Sequence, residues 1–278
     1  QVIEVMDGGS AEGQQITWSL GSLSAGTEGS RTVRAVIKAA PEVNYITLAN
    51  YRIEAAGLEQ PASGRTRMVF TGDTVPLWAV QGEGSRSPFT GEMLAVQGIV
   101  TGVFPNLGGF FIQSETPDQN PLTSEGLFIL TGDLQPEVRP GDIIRARGIV
   151  REDGQQTSLQ IDQAADIRLQ AGGKPLPAPV PLDPPGSVDE ANLYFESLEG
   201  MLVEIDGPAV AVSPVSRYGE FVVVDEDEGV ERLYEGDDDR NGIAVMVDDG
   251  SSEEHADRST LPLLVQTGDR VTGLVGPL

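Results

Sequence analysis

Three short segments recur in the same order in two stretches of this 278-residue chain, and that recurrence limits the folds open to it. Gly91 to Val100 matches Gly200 to Val210, Gly109 to Gln113 matches Gly219 to Val224, and Gly141 to Gly148 matches Gly268 to Gly273. Each segment is a short apolar run beside a glycine, the pattern of brief strands joined by tight turns. The second copy carries a longer acidic insertion between its second and third segments. In both copies a Gly-Asp pair precedes a strand, at Gly141-Asp142 and Gly268-Asp269. Glycine there supplies a positive φ, and aspartate holds the turn through its own backbone. Such a turn is common in OB-folds, five-stranded Greek-key barrels that often bind oligonucleotides. The first strand of such a barrel must curl, and Gly98 and Gly207 are the expected bends.

Punctuation divides the rest. Pro175, Pro177, Pro179, Pro181, Pro184 and Pro185 crowd a window where no central strand is expected, because proline lacks the ladder N–H. Residues 172–192 therefore read as a stiff, extended linker. Before Gly72, alternating segments at Ile16–Leu20, Arg31–Lys38, Ile46–Ala55 and Arg65–Phe70 are separated by Gly- and Ser-rich loops, as in a β-sandwich. The expected organisation is all-β: residues 1–72 a partial immunoglobulin-like sandwich, 73–171 an OB-like barrel, 172–192 a linker, and 193–278 a second OB-like barrel truncated at its C-terminal end. The 34 glycines and 19 prolines agree with many turns and few long helices.

Charge and cysteine narrow the chemistry. The formal charge of −25 opposes nucleic acid unless a local basic patch or bound cations overcome it. Acidic solubility is the simpler reading of that charge. The absence of cysteine excludes disulfides, thiolate metal sites and cysteine nucleophiles. No run approaches the roughly 20 apolar residues of a membrane span.

Two resemblances suggest a setting. Trp18 to Gly26, followed by an alternating strand and by Ile46 to Tyr51, resembles an immunoglobulin-like repeat of bacterial surface proteins, whose early strands would precede Gln1. Leu77 to Gly82, Ser87 to Gly91, Val96 to Thr101, Gly109 to Gln113, Thr123 to Ile129 and the Gly141-Asp142 turn resemble the barrel domain of secreted bacterial nucleases of the endonuclease/exonuclease/phosphatase superfamily. Leu198 to Val203, Val247 to Ser252 and Thr267 to Leu278 resemble the domain that follows it in those nucleases. The resemblance implies an extracellular or cell-surface protein whose partners are a catalytic domain of the same polypeptide and extracellular DNA. That catalytic domain would use Mg²⁺ or Ca²⁺. It would also need two histidines, whereas this chain has only His255. The expected role is thus a non-catalytic accessory region that spaces or orients the catalytic domain. The alternative is a surface stalk, adhesin or filament subunit built of β modules and touching neighbouring surface subunits.

Candidate contacts follow from residue type. Phe104, Phe110 and Phe111 are the aromatics for stacking single-stranded bases, although adjacent strand residues face opposite sides, so one of the pair belongs to the core. Arg145, Arg147 and Arg151 alternate on one strand face and can meet phosphate, or else pair with Asp142 and Glu152. Asp225, Asp227, Asp237, Asp238, Asp239 and Asn241 offer hard oxygen ligands for Ca²⁺, as do Asp248 and Asp249. They lack the spacing and distal glutamate of an EF-hand, which favours a solvated acidic loop, and Asp248 and Asp249 can instead cap a turn. His255, among Glu253, Glu254 and Asp257, is expected to be exposed.

Overall fold

A computed structural model describes residues 2–13, 15–24, 26–35, 45–48, 51–56, 59–64, 67–70, 72–154 and 156–278. The chain forms two compact units, Gln1–Asp73 and Thr74–Leu278. It is mostly β throughout.

The first unit consists of antiparallel strand pairs. β1 (Val2–Val5) pairs with β4 (Val33–Ala35), and β2 (Ser10–Glu12) with β3 (Gln15–Thr17). β5 (Tyr45–Leu48) pairs with β8 (Arg67–Phe70), and β6 (Arg52–Ile53) with β7 (Ala62–Ser63). Parts of three expected strands, at 36–38, 49–50 and 65–66, lie outside the described residues. Trp18 is half-buried, packs against Gly9 and donates its indole N–H to the Met6 carbonyl at 2.8 Å.

The second unit opens with a closed five-stranded barrel. Its strands are β9 (Met93–Phe104), β10 (Gly109–Gln113), β11 (Gly126–Leu130), β12 (Ile143–Asp153) and β13 (Gln156–Gln160). β9 pairs antiparallel with β10, and β10 with β11. β11 runs parallel to β13, which pairs antiparallel with β12, and β12 returns to β9. β12 shows why the ring closes. Ile144, Ala146 and Val150 are wholly buried inside, while Arg147 and Arg151 on the alternate positions face out. α1 (Leu77–Gln81) plugs one end by adding Leu77 and Val80 to the same buried cluster as Val96, Ile112 and Leu127. β14 (Ile167–Ala171) extends the sheet beside β12.

The proline-rich stretch is hydrogen-bonded to both of its neighbours. Lys174 donates its N–H to the Gly141 carbonyl at 2.9 Å. β15 (Val180–Pro181) runs parallel to β16 (Leu202–Glu204), pairing Val180 with Val203. Proline is tolerated there because β15 is an edge strand.

α2 (Val188–Glu196) follows, and the second module then repeats the strand order of the first. β17 (Ala209–Ala211) continues the course of β16, and β18 (Phe221–Asp225) pairs with β17 and with β19 (Val245–Val247). β20 (Arg270–Val271) pairs with β17, and β21 (Val275–Pro277) with β16.

The repeat extends to individual hydrogen bonds. Gly141 N–H reaches the Val100 carbonyl at 2.9 Å and Val100 N–H returns to the Asp142 carbonyl at 2.8 Å. In the second module Gly268 N–H reaches Ala211 at 2.8 Å and Ala211 N–H returns to Asp269 at 2.9 Å. Gly91 and Val150 are linked in the first module as Gly200 and Leu278 are in the second, and Val75 donates to Ala95 as Leu182 donates to Glu204. The lead-in strand of the second module is therefore the end of the proline-rich stretch.

Closure separates the two. Against the expectation of a second barrel, β19–β18–β17–β20 is an open sheet, and no described strand joins β19 to β20. The expected bends also differ. Gly207, at φ +127°, breaks the first strand into β16 and β17, whereas β9 runs through Gly98. Its register shift falls instead between the partners of Phe111 and Ile112.

Candidate nucleic-acid interface

The aromatics expected to stack on bases are sequestered. Phe110 is 1% exposed in the barrel core. Phe111 points the other way, as strand alternation requires, yet it too is buried. It stands edge-on to Phe104 at 5.7 Å between ring centroids and packs on Phe128 at 4.8 Å. The second module seals this face, with Gly250 against the half-buried Phe104 ring and Pro277 beside Gly102. One ring of the pair was expected in the core and Phe110 fills that place; burial of Phe111 as well leaves neither ring open to a base, which corrects the expectation for the outward member.

The arginines are better placed. Arg145 is partly exposed, and Arg147 and Arg151 are exposed, all on the outer face of β12. Arg168 of β14 lies directly opposite Arg145. Four guanidinium groups therefore share one outer face of a strongly acidic chain. Asp142 accepts from the Arg139 N–H at 2.9 Å, and Glu152 accepts from the Ser87 N–H at 2.6 Å and the Thr157 hydroxyl at 2.9 Å. Arg151 donates to the neutral Gln160 side chain at 2.8 Å. Arg168 was missed in the sequence because nothing local reveals that β14 lies next to β12.

The acidic candidates fall in three separate places. Asp225 is the last residue of β18 and Asp227 follows it, with the Asp225 carboxylate accepting the Asp227 N–H at 2.8 Å. Asp237 to Asn241 form a turn whose Asp238 carbonyl accepts the Val188 N–H that opens α2. Asp248 accepts from the Gly250 N–H at 2.6 Å, closing a turn after β19. Among the described residues, no three Asp, Glu or His side chains form a group that could hold a metal ion.

His255 is not exposed as expected. Its side chain is 14% exposed, with Nε2 at 3.0 Å from Oδ2 of the buried Asp249 and Nδ1 at 3.0 Å from the Thr260 hydroxyl. That hydroxyl donates to the Asp257 carbonyl at 2.7 Å, so its oxygen is left to accept from Nδ1. The histidine thereby pins the acidic insertion. Gly219 must be glycine beside it, because it has φ +85° and a Cβ would collide with the Asp249 carboxylate.

The joint between the modules holds the most perturbed carboxyl. Gly126 and Gly200 meet backbone to backbone, leaving no room for a Cβ on either. Around them Leu202 donates its N–H to Gln113 at 2.9 Å, and Ser124 donates its hydroxyl to the Glu199 carbonyl at 2.5 Å. The Glu199 carboxylate accepts the Thr157 N–H at 2.7 Å. Burial, and then the nearby Glu196 and Glu152, push the Glu199 carboxyl up to about 7 despite the Thr157 and Gln81 hydrogen bonds.

Residues 188–278 are similar to a family described as a domain of unknown function (DUF8508). The matched segment starts at the first residue of α2 and runs past β21, so it covers the second module apart from its lead-in strand. No curated protein matches the chain. No helix among the described residues is long and apolar enough to cross a membrane.

Proposed function

We propose that the chain is the non-catalytic accessory region of a secreted or surface nuclease, with an immunoglobulin-like first unit and OB-like modules in the second. Its second unit holds a fixed platform toward DNA. The observation that carries this is the row of Arg145, Arg147, Arg151 and Arg168 on one outer face of the barrel. Guanidinium groups spaced along a strand suit successive phosphates and carry no base preference. The strand order and the parallel β11–β13 pair support the OB-like reading of the first module. The catalytic domain, with its Mg²⁺ or Ca²⁺, lies in this reading elsewhere in the same polypeptide.

A gel-shift series at low salt tests the platform. The chain is expected to retard DNA weakly, more strongly with added Ca²⁺ or Mg²⁺. Converting Arg147, Arg151 and Arg168 to Glu is expected to abolish retardation and its salt dependence. No retardation by the unaltered chain, with or without the cations, removes the DNA contact.

The alternative of a surface stalk draws on a different feature, the Gly126–Gly200 joint, which fixes one module on the next. DNase activity of the full-length gene product separates the two readings: activity favours the nuclease, and its absence with self-association into filaments favours the stalk.

A further inference from the structure

The two modules differ at the barrel end nearest the lead-in strand. In the first, Val96 and Leu127 are sealed by Leu77 and Val80 of α1, all four wholly buried in one cluster. Strand registers make Ile205 the counterpart of Val96 and Val245 that of Leu127. Here Pro184 stands where Leu77 would be, and α2 buries only Ala191. The unfilled space is a cavity of about 220 Å³ with Leu182, Ile205, Ile243 and Val245 as its apolar lining. Ile205 and Ile243 are buried at its floor, whereas Asp183, Asp227 and Glu228 are exposed at its mouth beside Asp225.

We infer that this cavity is a binding site for a small alkylammonium ion, taken tail first. The polarity of the lining decides the class. An apolar floor rewards a branched or straight alkyl tail and leaves an anionic headgroup facing like charge at the mouth. Four carboxylates at a half-open mouth favour a cationic head that stays partly hydrated. A lysine side chain inserted tip first would bring its ammonium to the apolar floor, so it fits the lining backwards. The same polarity sets this site apart from a metal site, which would need converging oxygens instead of an aliphatic floor. The inference does not depend on the DNA reading, since the cavity lies in the second module and the arginine row in the first.

The test is calorimetric titration of the whole chain with ethyl-, propyl-, butyl- and isopentylammonium chloride, and with isopentanol. Affinity is expected to rise about fourfold per added methylene until the cavity is full. Isopentanol, which shares the tail and lacks the charge, is expected to bind more weakly than isopentylammonium. The double variant Asp227→Asn/Glu228→Gln, altered only at exposed positions, is expected to lose that advantage of the amine over the alcohol. Val245→Phe fills the space and is expected to abolish binding of both. Equal affinity along the ammonium series, or isopentanol binding as well as the amine, overturns the inference. So does undiminished amine binding by the double variant.

Discussion

The two modules of the second unit share their turns and differ in their cores. In the first, β13 bridges β11 and β12, and α1 plugs one end, so the interior is sealed. In the second, the sheet stays open and α2 contributes a single buried alanine. The backbone turns can be copied faithfully because they depend on local chemistry at one glycine and one aspartate. A closed core depends on many side chains arriving together, and it is the part that diverged. What remains in the second module is a cavity with charge at its mouth, the kind of place where packing has been given up in favour of binding.

That contrast can be broken at the core first. Ile112 and Val223 occupy equivalent, fully buried positions. Ile112→Ala in the sealed barrel is expected to cost about 4 kcal/mol, and Val223→Ala in the open module about 2 kcal/mol, read by denaturant unfolding. Equal losses would mean that closure adds nothing to packing.

The joint is the next target. Gly126 has Ala244 as its counterpart across the repeat, so a Cβ is accepted at that place in the second module. Gly126→Ala is expected to destabilise the second unit by about 3 kcal/mol and to open the joint to protease. Resistance equal to the parent's would show that the modules are not locked through this contact.

Acidity then probes the same joint from the other side. Glu199 has its folded pKa raised from 4.5 to about 7, so the folded state binds its proton more tightly. Its contribution is complete below about pH 4.5 and is lost as pH climbs through about 7, a fall of roughly 3 kcal/mol. Glu199→Gln keeps an acceptor for the Thr157 N–H and is expected to flatten that slope. An unchanged pH profile in this variant would assign the slope to other groups, such as Glu196 and Glu125, whose carboxyls burial also raises.

The smallest effects belong to the copied turns. Asp142 and Asp269 each accept one backbone N–H, from Arg139 at 2.9 Å and Gln266 at 2.8 Å. Alanine at either is expected to cost about 1 kcal/mol, nearly alike in the two modules, by thermal unfolding. A large disparity would mean that the turns are not energetically equivalent.

Much of this was legible in the residues, and the misses have identifiable causes. The repeat, the Gly-Asp turns and the strand character of Gly109 to Gln113 are all local patterns, and the structure contains each of them. Alternation puts one of Phe110 and Phe111 outside the core and free to stack, and the structure shows that one to be Phe111. That inference holds for an isolated barrel and fails when a second module covers the face. The acidic sequence neighbours of His255 point to an exposed ring. Its actual partners, Asp249 and Thr260, lie six and five positions away on a folded insertion. The proline-rich window does lack central strands, yet its last residues form the edge strand that opens the next module.

The amino-acid sequence by itself determined where the chain turns, which segments are strands, and that one strand plan was used twice. Those outcomes rest on φ preferences, side-chain alternation and Asx hydrogen bonding, all settled within a few residues. Only the tertiary structure decided which sheet closed, which outward face was covered, and that Arg168 would join the arginines of β12. These depend on strands far apart in sequence reaching hydrogen-bonding distance, and on whether a helix delivers enough apolar volume to the end of a barrel.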